Sequence, residues 1–137
     1  MNSIILDTNI ILRFITADDK EKQEKTARLF ERIKEGKITA FIHDVIFAET
    51  VFVLVSKKLY NLPKSKIQAL LLPIVNLKNI KFNSKKNIKR ALELFVRHDL
   101  DFEDALIAAY AESKKIEIVS FDRDFKKIPL IISKEPK

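Results

Sequence analysis

Ser3-Ile4-Ile5-Leu6-Asp7-Thr8-Asn9-Ile10-Ile11-Leu12-Arg13-Phe14-Ile15 is the stretch whose reading decides the fold. Ser3 to Leu6 is a short apolar run that stops at an acid, which predicts a buried strand. Thr8 to Ile15 predicts a short apolar helix directly after it. Asp18 or Asp19 can cap a longer helix to about Glu35, with Ala27, Phe30 and Ile33 on one face. Glu21–Lys25 and Glu24–Arg28 are spaced for i,i+4 pairing on its wet side. Gly36 stands where a helix C-cap residue would.

The alternation continues outward. Ile38 to Ile42 is β-branched and aromatic, a second strand. Asp44 to about Leu59 reads as a strongly apolar helix. Pro63 suits the first turn of another, which Pro73 should kink or break. Asn79 to Phe82 is a short strand. Asn83 or Ser84 then caps a helix with Ile88, Ala91, Leu92 and Phe95 at i, i+3, i+4 and i+7. Asp101 starts a helix to about Lys115, and Glu117 to Phe121 and Leu130 to Ser133 close the chain as strands. Strands alternating with helices imply an α/β fold with a parallel sheet covered on both faces. No Pro/Gly/Ser-rich stretch suggests a linker, so residues 1–137 are expected to form one domain.

Composition narrows the functions. Apolar residues are 47% of the 137 and charged residues 33%, which is globular. Lys and Arg outnumber Asp and Glu by 26 to 19, a net charge of +7 that would draw the chain to a polyanion. Cysteine is absent, which excludes disulfides, zinc–thiolate sites and thiol nucleophiles. Met1-Asn2-Ser3 carries no basic residue and the apolar run stops at Asp7, so no secretory leader is expected. Val51 to Val55 is too short to span a bilayer. The expected compartment is the cytoplasm.

In open α/β sheets ligands bind outside the carboxyl ends of the strands. Asp7 follows the first strand directly, and Asp122 follows Glu117 to Phe121. Each also suits a local role, Asp7 capping the next helix and Asp122 capping the turn Arg123-Asp124-Phe125. Glu49 lies in a helix with almost no other polar position and no basic residue within a turn. A buried carboxylate costs several kcal/mol, so a cation is the expected partner there, with a surface position as the plain alternative. Asp104 opens a similar helix, and spacing leaves open which of Asp101, Glu103 and Asp104 faces a site. Carboxylates gathered in one place repel and raise one another's pKa values, so such a cluster needs a cation. All-oxygen ligation favours Mg²⁺ or Mn²⁺ over zinc, and such ions serve phosphodiester hydrolysis. An acidic site on a basic body is the pattern of a nuclease.

At this point the chain resembles a known family. Leu6-Asp7-Thr8-Asn9, Glu49 in its apolar helix, Asp104-Ala105-Leu106-Ile107-Ala108-Ala109 and Ser120-Phe121-Asp122-Arg123-Asp124-Phe125 look like the four acidic motifs of PIN domains, in order across nearly the whole chain. The compact length is most similar to the VapC-type toxins of toxin–antitoxin pairs. The resemblance implies a three-layer α/β/α sandwich around a central parallel sheet, and Mg²⁺- or Mn²⁺-dependent cleavage of RNA. It assigns metal-holding, catalytic roles to Asp7, Glu49, Asp104 and Asp122, favouring Asp104 over Asp101 and Glu103. It places Asn9 and Ser120 as the polar groups that hydrogen-bond the acids, Ser120 standing where many members carry Thr. Asp124 is read as a turn residue in preference to a supporting acid. A cognate antitoxin and a homodimer are the implied protein partners.

Other readings have their own discriminating features. A phosphatase with Asp7 as covalent nucleophile expects a second Asp two residues on, where this chain has Asn9. A non-catalytic RNA- or partner-binding module would bind without turnover. An RNA-processing nuclease outside toxin–antitoxin systems would share the site but not the antitoxin. His43 and His98 are read as solvated helix-end residues. Lys85-Lys86-Asn87-Ile88-Lys89-Arg90 is read as the wet face of an amphipathic helix, with RNA contact the minority reading.

Overall fold

Strand β1 (Asn2–Ile5) lies parallel to β2 (Ile38–Ile42), and β2 lies parallel to β3 (Ile80–Phe82), in the order β1-β2-β3. Parallel neighbours cannot be joined by a tight turn, so each connection must travel back along the sheet. Helices α1 (Thr8–Ile15) and α2 (Lys20–Lys34) make the first return, and α3 (Asp44–Val55) and α4 (Lys64–Val75) the second. This is a computed structural model describing residues 2–137, and it bears out the α/β class expected from the alternation. Every strand pairing among the described residues is parallel. By Cα proximity the chain divides into two compact units, one running to Lys85 and one from Lys86 to Lys137.

The first unit is built on the three-stranded sheet. Ala40, Ile42 and Ile80 are fully buried in its strands. Phe47, Val51 and Leu54 from α3 and Ile67 and Leu71 from α4 are buried with them. Phe14 of α1 stacks on Phe30 of α2 at 3.9 Å between ring centroids, and Phe47 meets Phe82 edge-on at 6.0 Å. Aromatic pairs of these kinds add about 0.5–1.5 kcal/mol beyond simple burial. The caps are those the residue types call for: Asp7 on α1, Asp19 on α2 and His43 on α3. His43 Nδ1 accepts from the Val45 N–H at 3.0 Å, the capping role read from sequence.

Four details of the first unit differ from the sequence expectation. Strand β1 is not buried: as the edge strand it has, among the described residues, a neighbour on one side only. Asn2, Ser3 and Ile5 are exposed, and the buried residue of the run is Leu6, just past its end. Ala27 is exposed, and Thr26 is buried with Phe30 and Ile33 in its place. The Thr26 hydroxyl donates to the Gln23 carbonyl at 2.9 Å, so its polar end is satisfied inside the helix. Helix α3 ends at Val55 rather than near Leu59, because the Leu62 N–H donates to the Leu54 carbonyl and turns the chain back. Pro73 does not break α4, which runs two residues further to Val75. Proline removes one N–H donor, but Pro73 itself faces solvent while Ile74 and Val75 stay buried, and the Asn76 N–H still reaches the Leu72 carbonyl.

The second unit pairs helices α5 (Lys85–Arg97) and α6 (Phe102–Lys114) with a short parallel ladder, β4 (Ile118–Val119) on β5 (Ser133–Lys134). The boundary between the units falls inside the first turn of α5. Ile88, Ala91, Leu92 and Phe95 of α5 are buried, as their spacing predicts. Phe95 meets Phe102 edge-on at 5.8 Å. The Arg90 guanidinium forks onto Glu112, with Nε and Nη2 donating to its two carboxylate oxygens at 2.8 and 3.0 Å. Both closing strands are shorter than expected, and β5 is displaced along the chain, sharing only Ser133 with the expected Leu130 to Ser133. A short 3₁₀ helix, Arg123–Lys127, lies between them.

Gly36, the chain's one glycine, follows α2 with φ at +79°. Its N–H donates to the Ile33 carbonyl and the Lys37 N–H to the Arg32 carbonyl, both at 3.0 Å, which closes the helix end. A Cβ there would meet only Asn79 Nδ2, at 3.7 Å, so the penalty for a side chain is that of the backbone alone. Gly36→Ala is therefore expected to cost about 1 kcal/mol, and Gly36→Asn less. Urea denaturation of the two variants would measure this, and equal stability of Gly36→Ala and the native chain would contradict it.

Candidate metal centre

Asp104 enters the site from the first turn of α6. Asp101 occupies the N-cap position without a side-chain capping bond, and the first helical turn carries Glu103 and Asp104. Asp122 and Asp124 come from the segment after β4. Asp122 caps the 3₁₀ turn, its Oδ1 accepting from the Asp124 N–H at 2.9 Å, and its own N–H donates to Ser120 Oγ at 2.9 Å. The interlock fixes the direction in which the turn leaves the strand. It brings one carboxylate oxygen each of Asp104, Asp122 and Asp124 within 4.8 Å of one another.

Three like charges at that separation disfavour ionisation. Burial first, then the carboxylates of Asp122, Asp101, Asp124 and Glu103, hold the Asp104 carboxyl above its ordinary range. The counter-charge beside the group is Lys127, whose ammonium lies 2.8 Å from Asp124 Oδ1 and 3.8 Å from Asp99. Asp124, by its hydrogen bond, raises Lys127 above its usual value. One lysine on the rim does not balance the whole group. An all-oxygen set with excess negative charge fits a hard divalent cation, Mg²⁺ or Mn²⁺, and suits zinc or copper poorly.

The first unit holds the other two sequence candidates. Asp7 is exposed and caps α1, Oδ1 accepting from the Ile10 N–H at 3.2 Å. Its capping role is thus real, and one bond of this kind leaves carboxylate lone pairs for a ligand. Glu49 is exposed, not buried. It lies on a solvent-facing stripe of α3 between Val45, 65% exposed, and Phe52, 63% exposed. Desolvation therefore gives Glu49 no need of a cation: α3 is apolar, yet one of its faces is open to water. Asn9 is also exposed, and among the described residues its side chain makes no hydrogen bond to Asp7. Ser120 does support an acid, but through the Asp122 backbone and not through its carboxylate.

Sequence reasoning undervalued Asp124. It is a turn residue, as expected, and it is also the third carboxylate of the group. The signal in the sequence was the Asp122-Arg123-Asp124 spacing, since a cap and the residue two on flank the same turn.

Comparison with known proteins agrees with the family resemblance. The family model described as PIN domain matches residues 4–130, and the chain belongs to the PIN domain family. Among solved structures it is similar to Mycobacterium tuberculosis VapC20, a sarcin-ricin loop cleaving toxin. The identity is 20%, over 90% of this chain and 93% of that one, with a TM-score of 0.39. It is also similar to VapBC2 from Rickettsia felis, bound to a DNA fragment from its promoter. There the identity is 24%, over 98% of both chains, with a TM-score of 0.39. No curated protein matches the chain. Among the described residues no helix is long and apolar enough to cross a membrane.

The electrostatics have a measurable consequence. The Asp104 carboxyl is raised, so at neutral pH its ionised form opposes folding in the absence of a cation. Asp104→Asn is expected to raise the thermal midpoint in EDTA and to abolish the stabilisation that millimolar Mg²⁺ or Mn²⁺ confers on the native chain. Differential scanning fluorimetry would show both. A variant less stable in EDTA, yet still stabilised by the metal, would rule out Asp104 as a ligand.

Proposed function

We propose that this chain is a metal-dependent endoribonuclease, a single PIN domain over residues 1–137 that acts as the toxin of a type II toxin–antitoxin pair. The observation that carries the reading is the Asp104–Asp122–Asp124 carboxylate group in a member of the PIN family. The net charge of +7 supports it, because a polyanionic substrate is attracted to the body while the acids stay local. The toxin role extends the motif resemblance to VapC-type chains. A cognate antitoxin, a homodimer and a cytoplasmic location belong to the same proposal.

In this reading Asp7, Glu49, Asp104 and Asp122 hold Mg²⁺ or Mn²⁺, with Asp124 as a further acid beside Asp104 and Asp122. When bound, the divalent ion supplies Lewis-acid stabilisation of the charge that develops on the phosphoryl oxygens. The residues themselves do the positioning. Ser120 holds the Asp122 backbone, and Asp122 holds the Asp124 backbone, so the two acids move as one turn. Lys127 holds the Asp124 carboxylate by an ion pair within that turn. In this reading a carboxylate whose second oxygen stays free accepts a proton from the attacking water.

The test is cleavage of RNA by the purified chain in Mg²⁺ or Mn²⁺. Activity is expected to vanish in EDTA and to fall by at least about a hundredfold in Asp7→Asn and in Asp122→Asn, in line with the loss of a group acting in the transition state. Cleavage that survives both EDTA and these substitutions would defeat the mechanism. Glu49→Gln separates the acids further: full activity in that variant would remove Glu49 from the site while leaving the other three.

A further inference from the structure

The Lys86-to-Arg90 segment buries Asn87 and Ile88, but its cations are explained neither by the core nor by the acidic site. In the second unit it faces the end of α6 across a concavity of about 460 Å³ lined by Lys86, Lys89, Arg90, Glu93, Glu112 and Lys115, among others. Two basic segments well apart in sequence thus share one groove. Lys86 and Lys89 are i,i+3 on α5, on adjacent turns of one helix face. Lys115 is presented by the left-handed residue, φ +56°, that ends α6.

The charges in this groove are not equivalent. Arg90 is committed: its fork is on Glu112, and Nη1 lies 3.3 Å from Glu93. Glu112 first, by its hydrogen bonds and charge, and then Glu93 raise the Arg90 guanidinium further, against the opposing effect of burial. One cation and two carboxylates leave that trio with a single net negative charge. Lys86, Lys89 and Lys115 have no ion pair among the described residues, and Lys86 and Lys115 are exposed. Three uncommitted ammonium groups therefore face one residual negative charge, and the Arg90–Glu112 fork holds α5 and α6 together beneath them.

We propose that this groove is a secondary binding site for the phosphodiester backbone of the RNA substrate, with Lys86, Lys89 and Lys115 as the phosphate-binding groups. It rests on the ribonuclease reading above and adds to it a place where substrate is held outside the acidic group. No aromatic side chain lines the concavity, so there is no surface on which bases could stack. The groove binds phosphates and does not read bases, which makes its contribution independent of sequence and sensitive to salt. Paired Arg90 serves as the brace, because a guanidinium already saturated by two carboxylates has little to offer a phosphate.

The test compares Lys86→Gln/Lys89→Gln/Lys115→Gln with a control of equal charge change on α2, Lys20→Gln/Lys22→Gln/Lys34→Gln. Binding of a fluorescein-labelled oligouridylate to the full chain is followed by anisotropy in EDTA across a potassium chloride series, so that cleavage plays no part. The groove variant is expected to bind at least about tenfold more weakly at low salt. The slope of log K against log salt should fall by roughly 2, at about 0.7 for each single-strand phosphate that is no longer neutralised. With Mg²⁺ or Mn²⁺ present, KM for a long RNA should rise in that variant while kcat stays close to native. Oligoadenylate and oligouridylate should lose affinity equally.

Equal losses in the groove and control variants would reduce the effect to net charge and overturn the proposal. Unchanged RNA binding with weakened binding of polyglutamate would assign the groove to an acidic protein segment and overturn it as well. Failure of the native chain to cleave RNA, with salt-dependent binding lost in the groove variant alone, would instead count against the catalytic reading and leave the groove standing. Circular dichroism of each variant confirms that the helices are intact, and Glu93→Gln, which removes a groove anion, should tighten binding.

Discussion

Parallel strand pairing is the constraint on which the first unit depends. A parallel neighbour can be reached only by returning the chain along the sheet, and the return must satisfy its own backbone groups, which a helix does. The strands β1, β2 and β3 therefore end on one edge, and each end passes into the start of the next segment. Asp7 follows β1, His43 follows β2 and Asn83 follows β3. Asn83 Oδ1 accepts from the Asp44 N–H at 2.8 Å, so the end of one strand caps the helix that follows its neighbour. Polar side chains collect on this edge because exposed helix starts need acceptors there. The chemistry available to the fold is set by that requirement.

In the second unit the governing interactions are electrostatic and of two opposed kinds. At Asp104, Asp122 and Asp124 the carboxylates gather with Lys127 as the cation beside them, an arrangement whose mutual repulsion disfavours folding. At Arg90 one guanidinium answers two carboxylates in fixed geometry. Half-buried forks of this type hold helices in register better than exposed single pairs, which contribute little. A saturated pair serves as a structural brace, and an unsaturated cluster is a candidate site. The same residue types perform both tasks within one small unit.

Much of this was legible from the residues. Period-3.6 spacing located α5 and its buried face, the Asp19 and His43 caps were in place, and Gly36 marked the end of α2 by a conformation that suits glycine. The misreadings share a cause. Thr26 replaced Ala27 in the core because a hydroxyl can be satisfied within its own helix. Helix α3 stopped early because a bond from Leu62 to Leu54 closed it, and no pattern inside a helix announces a bond made by the segment after it. The closing strands shortened because a strand needs a partner, and β4 and β5 offer each other only two residue pairs.

The sequence by itself determined the α/β order and the family and offered the candidate acidic residues, because these depend on local spacing and on motifs read along the chain. Only the tertiary structure decided which of those residues share a place. It put Asp124 beside Asp104 and Asp122, turned Glu49 to solvent, and drew Lys115 opposite Lys86 and Lys89. The reason is physical. Hydrogen bonding within a helix and hydrophobic periodicity act within a turn or two of chain and leave their mark in neighbouring residues. The rotation of a helix about its axis, and the approach of segments distant in sequence, are set by packing against the rest of the unit, which no short stretch encodes.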